Sequence, residues 1–156
     1  DDKTTKRTFF SLDVVLEIIK EICLYIKHFA EVNDNPKAAI LGETIDTATG
    51  KLLTNGKSPS RKVGENDNRG SHFYLALYWA QELANQDKDA DLKARFNEVY
   101  NTLCENETSI VDELSSIQGN SVDLGGYFSP DDTKADHVMQ ASKTLNSILE
   151  SISALA

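Results

Sequence analysis

Residues 57–78 read KSPSRKVGENDNRGSHFYLALY, a turn-rich basic stretch that runs into an apolar one. Lys57, Arg61, Lys62 and Arg69 fall within it against only Glu65 and Asp67, so the stretch is locally +2 in a chain of formal charge −9. Pro59, Gly64 and Gly70 predict repeated turning of the backbone. Beyond them Phe73, Leu77, Ala80 and Ala84 recur at helical spacing, with Trp79 and Leu83 beside that face. A helix capped by Ser71 and running through Ala84 follows, its aromatics most simply core residues. A basic loop feeding a helix N-terminus aims side-chain cations and free backbone N–H groups the same way, which suits a phosphate. A solvated surface loop with scattered charge is the plainer reading of the same composition.

Working outward from this stretch, helical periods continue on both sides. Upstream, Leu12, Val15, Leu16, Ile19, Ile22, Cys23, Ile26, Phe29 and Ala30 keep the period over about five turns. Ser11 reads as the N-cap, and Phe10 and Val15 sit where a hydrophobic staple would place them. Ile18 and Tyr25 widen the stripe, so this helix is expected to be buried on more than one side. Asn35-Pro36 restarts a helix that Gly50 is placed to end, leaving Leu52 and Leu53 as a possible short strand. Downstream, Leu92 to Leu103 and Ile110 to Ile117 give two amphipathic helices, the second stopped at Gly119. Ser129-Pro130-Asp131-Asp132 is a helix start, and Ala135, Val138, Met139, Leu145, Ile148, Leu149 and Ile152 continue along one face. About six helices with short loops predict a mainly α bundle, one domain over residues 11–156 after a disordered or truncated lead-in at 1–10.

Forty per cent apolar and 26% charged residues are ordinary for a globular domain. No apolar run reaches the 18 residues of a membrane span, and the polar start DDKTTKRT holds no signal-peptide core. The chain does not begin with Met and is expected to be a piece of a longer one. The acidic balance argues against nucleic acid as a partner without excluding a local anion site. Cys23 and Cys104 read as buried free thiols, fitting a reducing cytoplasm.

Catalytic constellations are missing. His28 reads as a packed or boundary side chain, His72 sits at a helix start and His137 beside surface acids. No two histidines have metal-ligand spacing, and there is no Cys-x-x-Cys. Asp131, Asp132 and Asp136 are explained more simply by helix capping than by a metal. Nucleophile-elbow, P-loop and Rossmann fingerprints are absent. No catalytic residue and no metal ligand is therefore expected in this segment.

The wording of the basic stretch carries further. Ser58-Pro59-Ser60-Arg61-Lys62-Val63-Gly64-Glu65 followed by Asp67-Asn68-Arg69-Gly70-Ser71-His72-Phe73-Tyr74-Leu75-Ala76 resembles the C-terminal part of the monomeric-type NADP-dependent isocitrate dehydrogenases. The resemblance extends to Asp46-Thr47-Ala48-Thr49-Gly50-Lys51-Leu52-Leu53, to Trp79-Ala80-Gln81-Glu82-Leu83-Ala84 and to Asp123-Leu124-Gly125-Gly126-Tyr127-Phe128-Ser129-Pro130, covering roughly residues 11 to 150. It implies a helical segment of the smaller, cofactor-contacting domain of a larger two-domain α/β enzyme. It implies oxidative decarboxylation of isocitrate to 2-oxoglutarate with NADP and Mg²⁺ or Mn²⁺, the metal and isocitrate being held mainly by a domain outside these residues. The remainder of the same polypeptide is then the main partner, and the segment alone is expected to be silent.

The same resemblance implies that Arg61 contacts the 2′-phosphate of NADP, with Lys62 and Arg69 as secondary candidates. The chemistry suits it, because a guanidinium fork matches phosphate oxygens bidentately. Arg69 is equally placed to pair with Asp67 or Glu65 and fix the loop. The family's Arg-x-Asp-Ser before the first helix stands here as Thr8-Phe9-Phe10-Ser11, and its Met-Arg-Pro-Ser as Met139-Gln140-Ala141-Ser142. Those departures leave a second reading: a stand-alone helical binding module derived from such an enzyme.

Overall fold

Short polar side chains fix where the helices begin. Asn35 accepts a hydrogen bond from the backbone N–H of Ala38, Asp67 from those of Arg69 and Gly70, Asp89 from Leu92 and Asp131 from Lys134. Each occupies donors that a helix N-terminus leaves unpaired. The computed structural model describes residues 12–126 and 128–153. Among them run seven helices and no strand: α1 (Leu12–Val32), α2 (Pro36–Thr54), α3 (Asn68–Asn85), α4 (Ala90–Glu105), α5 (Glu107–Ser116), α6 (Asp132–Met139) and α7 (Lys143–Ser153). The mainly α class read from the periodicity is what forms. None of these helices is long and apolar enough to cross a membrane.

Four boundaries differ from the sequence reading. Helix α2 passes through Gly50 and takes in Leu52 and Leu53, which are helical rather than extended. Its stop lies at Gly56, whose φ of 63° belongs to the left-handed region that glycine enters freely. Helix α3 is capped by Asp67 rather than Ser71, whose hydroxyl donates to the Lys57 carbonyl at 2.7 Å. Helix α6 starts after Asp131, so Ser129 and Pro130 precede it. The last apolar period is split, because Ser142 caps a new helix by accepting from the Leu145 N–H at 3.0 Å. The Ser11 cap, the Phe10 staple and the residues Thr8 and Phe10 lie outside the described residues.

Consecutive helices pack α1 on α2, α2 on α3 and α3 on α4, with α7 laid against α4 and α5. The main core gathers Leu52, Phe73, Tyr74, Leu77, Ala80, Val99, Leu103, Ile110, Leu114 and Ile148. Phe73 and Ile110 are wholly buried, each such side chain contributing about 1.5–3 kcal/mol of apolar burial. The face of α3 read as core is therefore core. A smaller cluster joins Ile19 and Cys23 of α1 to Ile45, with Leu75 and Trp79 alongside. There the Trp79 indole N–H donates to Thr44 Oγ1 at 3.0 Å.

Over residues 18–32, whose side chains are described, helix α1 is not buried on more than one side: Ile19, Cys23 and Ala30 are covered, while Ile18, Ile22, Tyr25, Phe29 and Val32 stand 43–70% exposed one residue round the helix. Neither cysteine forms a disulfide, and Cys104 is exposed rather than buried because the inner face of α4 is taken by Val99 and Leu103. Burial holds the Cys23 thiol above its ordinary value, with Asp46 adding to the effect. His28 is exposed, as are His72 and His137.

Candidate functional site

The basic loop between α2 and α3 is folded on itself by its own polar side chains. The Asn66 side-chain amide donates to the Lys57 carbonyl at 2.7 Å and to Ser71 Oγ at 2.9 Å, so the two ends of the loop are tied at one residue. Gly70 has no Cβ to obstruct this, and one built there would lie 2.1 Å from Asn66 Oδ1. The Ser60 N–H donates to the Asn66 carbonyl at 2.6 Å, and its hydroxyl donates to Glu65. Lys62 faces Glu65 across 3.6 Å.

A second set of contacts ties the loop to the far end of the bundle. Gln118, just past α5, accepts from the Gly64 N–H at 2.8 Å and donates to the Glu65 carbonyl at 3.0 Å. Val63 leans towards Gly119, whose φ of 76° turns the chain after α5; a Cβ there would lie 3.2 Å from Val63 Cγ1. Arg69 closes the other side. Its guanidinium pairs with Asp67, Nε donating at 3.0 Å, and Nη1 reaches the Val138 carbonyl of α6 at 3.2 Å. Burial works against ionisation of Asp67, but Arg69 and the amides of Gly70 and Arg69 outweigh it and hold the carboxyl below its ordinary value.

These elements enclose a cleft of ≈ 390 Å³. One wall is the loop, with Ser60, Arg61, Lys62 and Val63; the others are the start of α3, residues 117–122 and the end of α6. Its volume lies within the range usual for small-molecule sites. The structure brings the three sequence candidates Arg61, Lys62 and Arg69 to this one cleft, but their states differ. Arg69 is only 13% exposed and committed to Asp67 and Val138, the loop-fixing pairing that its neighbour Asp67 had made legible. Lys62 is 80% exposed and loosely paired. Arg61 is exposed and has no ion pair or side-chain hydrogen bond among the described residues. A guanidinium with no partner among the described residues, at the edge of this cleft, is chemically suited to an incoming phosphate, since binding need not first break an internal pair.

The fourth cation, Lys57, faces away from the cleft. Its ammonium sits 4.0 Å from the centre of the Tyr74 ring, whose hydroxyl donates to Glu107 at 2.9 Å. Interaction with the Tyr74 hydroxyl holds the Lys57 ammonium above its ordinary value, keeping it charged in a half-buried setting. Burial in turn raises the Tyr74 phenol. Gln118 was not among the sequence candidates. An amide two residues beyond a helix end carries no signal of a partner 54 residues earlier.

Among the described residues no group of three or more His, Cys, Asp or Glu side chains is arranged to hold a metal ion. The carboxylates that cluster are engaged elsewhere. Asp131 caps α6, and Asp123 pairs with Lys134 at 2.5 Å.

Residues 7–150 match the family model described as monomeric isocitrate dehydrogenase. The chain is 51% identical over 124 residues to isocitrate dehydrogenase (NADP) of Azotobacter vinelandii, covering 80% of the chain and 17% of that protein. It is 54% identical over 118 residues to isocitrate dehydrogenase (NADP) 2 of Mycobacterium tuberculosis, covering 76% and 16%. With isocitrate dehydrogenase (NADP) 2 of Colwellia maris the identity is 50% over 127 residues, covering 81% and 17%. The chain thus spans about one sixth of the length of the curated relatives it matches, in their C-terminal part.

Proposed function

This chain belongs to the monomeric isocitrate dehydrogenase family, and from that premise we propose that it is the C-terminal segment of an NADP-dependent enzyme and grips the cofactor's 2′-phosphate through Arg61. The full polypeptide would oxidise isocitrate to 2-oxoglutarate and CO₂. NADP supplies the hydride acceptor when bound, and Mg²⁺ or Mn²⁺ would be held by residues beyond this segment. The remainder of the same polypeptide is the partner that brings isocitrate, so the segment alone is silent. Two free thiols fit a cytoplasmic setting.

The observation that carries the reading is the state of Arg61. It is the one cation of the cleft wall without a partner among the described residues, and it stands beside a chamber large enough for part of a nucleotide. Its guanidinium would donate to two phosphate oxygens at once, while Lys62 adds charge without geometry. Loss of a charge-assisted hydrogen bond costs about 1.5–3 kcal/mol, so Arg61→Ala in the full-length enzyme is expected to raise KM for NADP roughly tenfold to hundredfold. The KM for isocitrate should stay within about twofold of the parent. Equal effects on both substrates, or none, overturn the assignment.

A further inference from the structure

The cleft's exposed cation rides on a loop with little apolar anchoring: Arg61, Lys62, Val63 and Gly64 are all exposed. Such a loop holds an orientation only if its backbone is pinned. Among the described residues the hydrogen bonds that pin residues 61–64 to the bundle come from one side chain. Gln118 satisfies a donor and an acceptor of adjacent residues at once, accepting from the Gly64 N–H at 2.8 Å and donating to the Glu65 carbonyl at 3.0 Å. The amide thereby completes the loop much as a paired strand backbone would. Loop-internal contacts do not replace it. The Ser60 hydroxyl reaches Glu65, and the Lys62 N–H reaches Ser60 Oγ at 3.2 Å, but neither ties residues 61–64 to the rest of the bundle.

We infer that Gln118 is a positioning residue for cofactor choice: it holds the turn at Gly64 so that Arg61 presents its guanidinium to the 2′-phosphate-bearing end of the nucleotide. This rests on the proposed role of Arg61 and extends it to a residue of the same cleft that acts through the loop backbone. A half-buried amide whose loss leaves the bundle core intact acts on the energy of one orientation, not on the fold. Displacement of a positioning contact by about 1 Å is enough to cost up to 10²-fold in a bound state, so a tenfold loss is a moderate expectation.

The test uses the full-length enzyme with Gln118→Ala and Gln118→Met, the second keeping the side-chain volume. Both are expected to raise KM for NADP about tenfold, leave KM for NAD and for isocitrate within about twofold, and leave the thermal midpoint within about a degree. In a double-mutant cycle, Arg61→Ala/Gln118→Ala should be no worse than Arg61→Ala alone, because a residue acting through Arg61 has nothing further to lose. Fully additive penalties, equal losses with NADP and NAD, or no change with NADP overturn the inference. If Arg61→Ala weakens NADP and Gln118 variants do not, the positioning role falls and the cofactor reading stands. If neither does, both fall.

Discussion

Glu113→Ala removes the acceptor of three hydrogen bonds at the start of α7. Glu113 lies on α5 and receives Ser142 Oγ at 2.6 Å, the Thr144 N–H at 3.1 Å and Thr144 Oγ1 at 2.8 Å. Thr144 is half-buried and can turn to water. Ser142 is 1% exposed and cannot. Its hydroxyl oxygen would still accept from the Leu145 N–H, so the cap survives, but its proton would be left without an acceptor. An unsatisfied buried donor costs about 1–3 kcal/mol, and loss of a negative charge at a helix N-terminus adds about 0.3–1 kcal/mol. A central figure of about 2 kcal/mol corresponds to roughly thirtyfold more frequent local opening. Hydrogen–deuterium exchange over residues 143–153 of the full-length enzyme reads this directly. Glu113→Gln keeps an acceptor oxygen and should accelerate exchange only about threefold to fivefold, in line with losing charge assistance. Acceleration below about twofold in Glu113→Ala refutes the view that this carboxylate holds α7.

The same contact carries a pH dependence of fixed sign. The Ser142 and Thr144 hydroxyls hold the Glu113 carboxyl below its ordinary value of 4.5. A depressed carboxyl contributes fully above its unfolded value and loses that contribution as pH falls through the lower folded one. Protection of α7 should therefore weaken as pH drops below 4.5 in the parent, with no matching step in Glu113→Gln.

Two further perturbations test the loop. Asp67→Ala removes the α3 cap and leaves the Arg69 guanidinium, 13% exposed, without its carboxylate; a loss of about 2 kcal/mol is expected at the first turn of α3 by hydrogen exchange. Asp67→Asn, which caps as well but lacks the charge, should lose less, and equal losses would discard the Arg69 pairing as a contributor. Gly119→Ala forces a side chain into a backbone with φ of 76° and crowds Val63, so the melting midpoint of the full-length enzyme should fall, by an amount set by about 1–2 kcal/mol of strain. An unchanged or raised midpoint would show that the turn after α5 is not constrained as described.

Where the sequence was sufficient, a local period was the reason. Phe73, Leu77, Ala80 and Ala84 mark the buried face of α3 because the helical period alone brings them to one side of the helix. Periodicity says nothing about which of two glycines ends a helix, since Gly50 and Gly56 differ only in the backbone angle that the surrounding chain imposes. Nor does it register the break between α6 and α7, because the apolar spacing runs through it and the cause, Glu113, sits 29 residues upstream of Ser142. Exposure of one α1 stripe has the same origin: spacing marks residues that can be buried, not whether anything packs on them.

The site divides the same way. Arg69's pairing with Asp67 was visible because the partners are adjacent, whereas its reach to Val138 spans 69 residues. Composition alone could not rank Arg61 above Lys62. Wording shared with a family did so; in the structure Arg61 is exposed and has no partner among the described residues.

Asn66 and Gly70 set a condition on how this chain can drift. The Asn66 amide occupies the space a Cβ at position 70 would need, and its nitrogen is held by both Lys57 and Ser71. Replacing Gly70 first meets a side chain that cannot step aside without dropping two partners. Replacing Asn66 first unties the loop ends while the space at Gly70 gains no use. Either single replacement is expected to cost the loop, so positions 66 and 70 act as a coupled pair whose substitutions do not add.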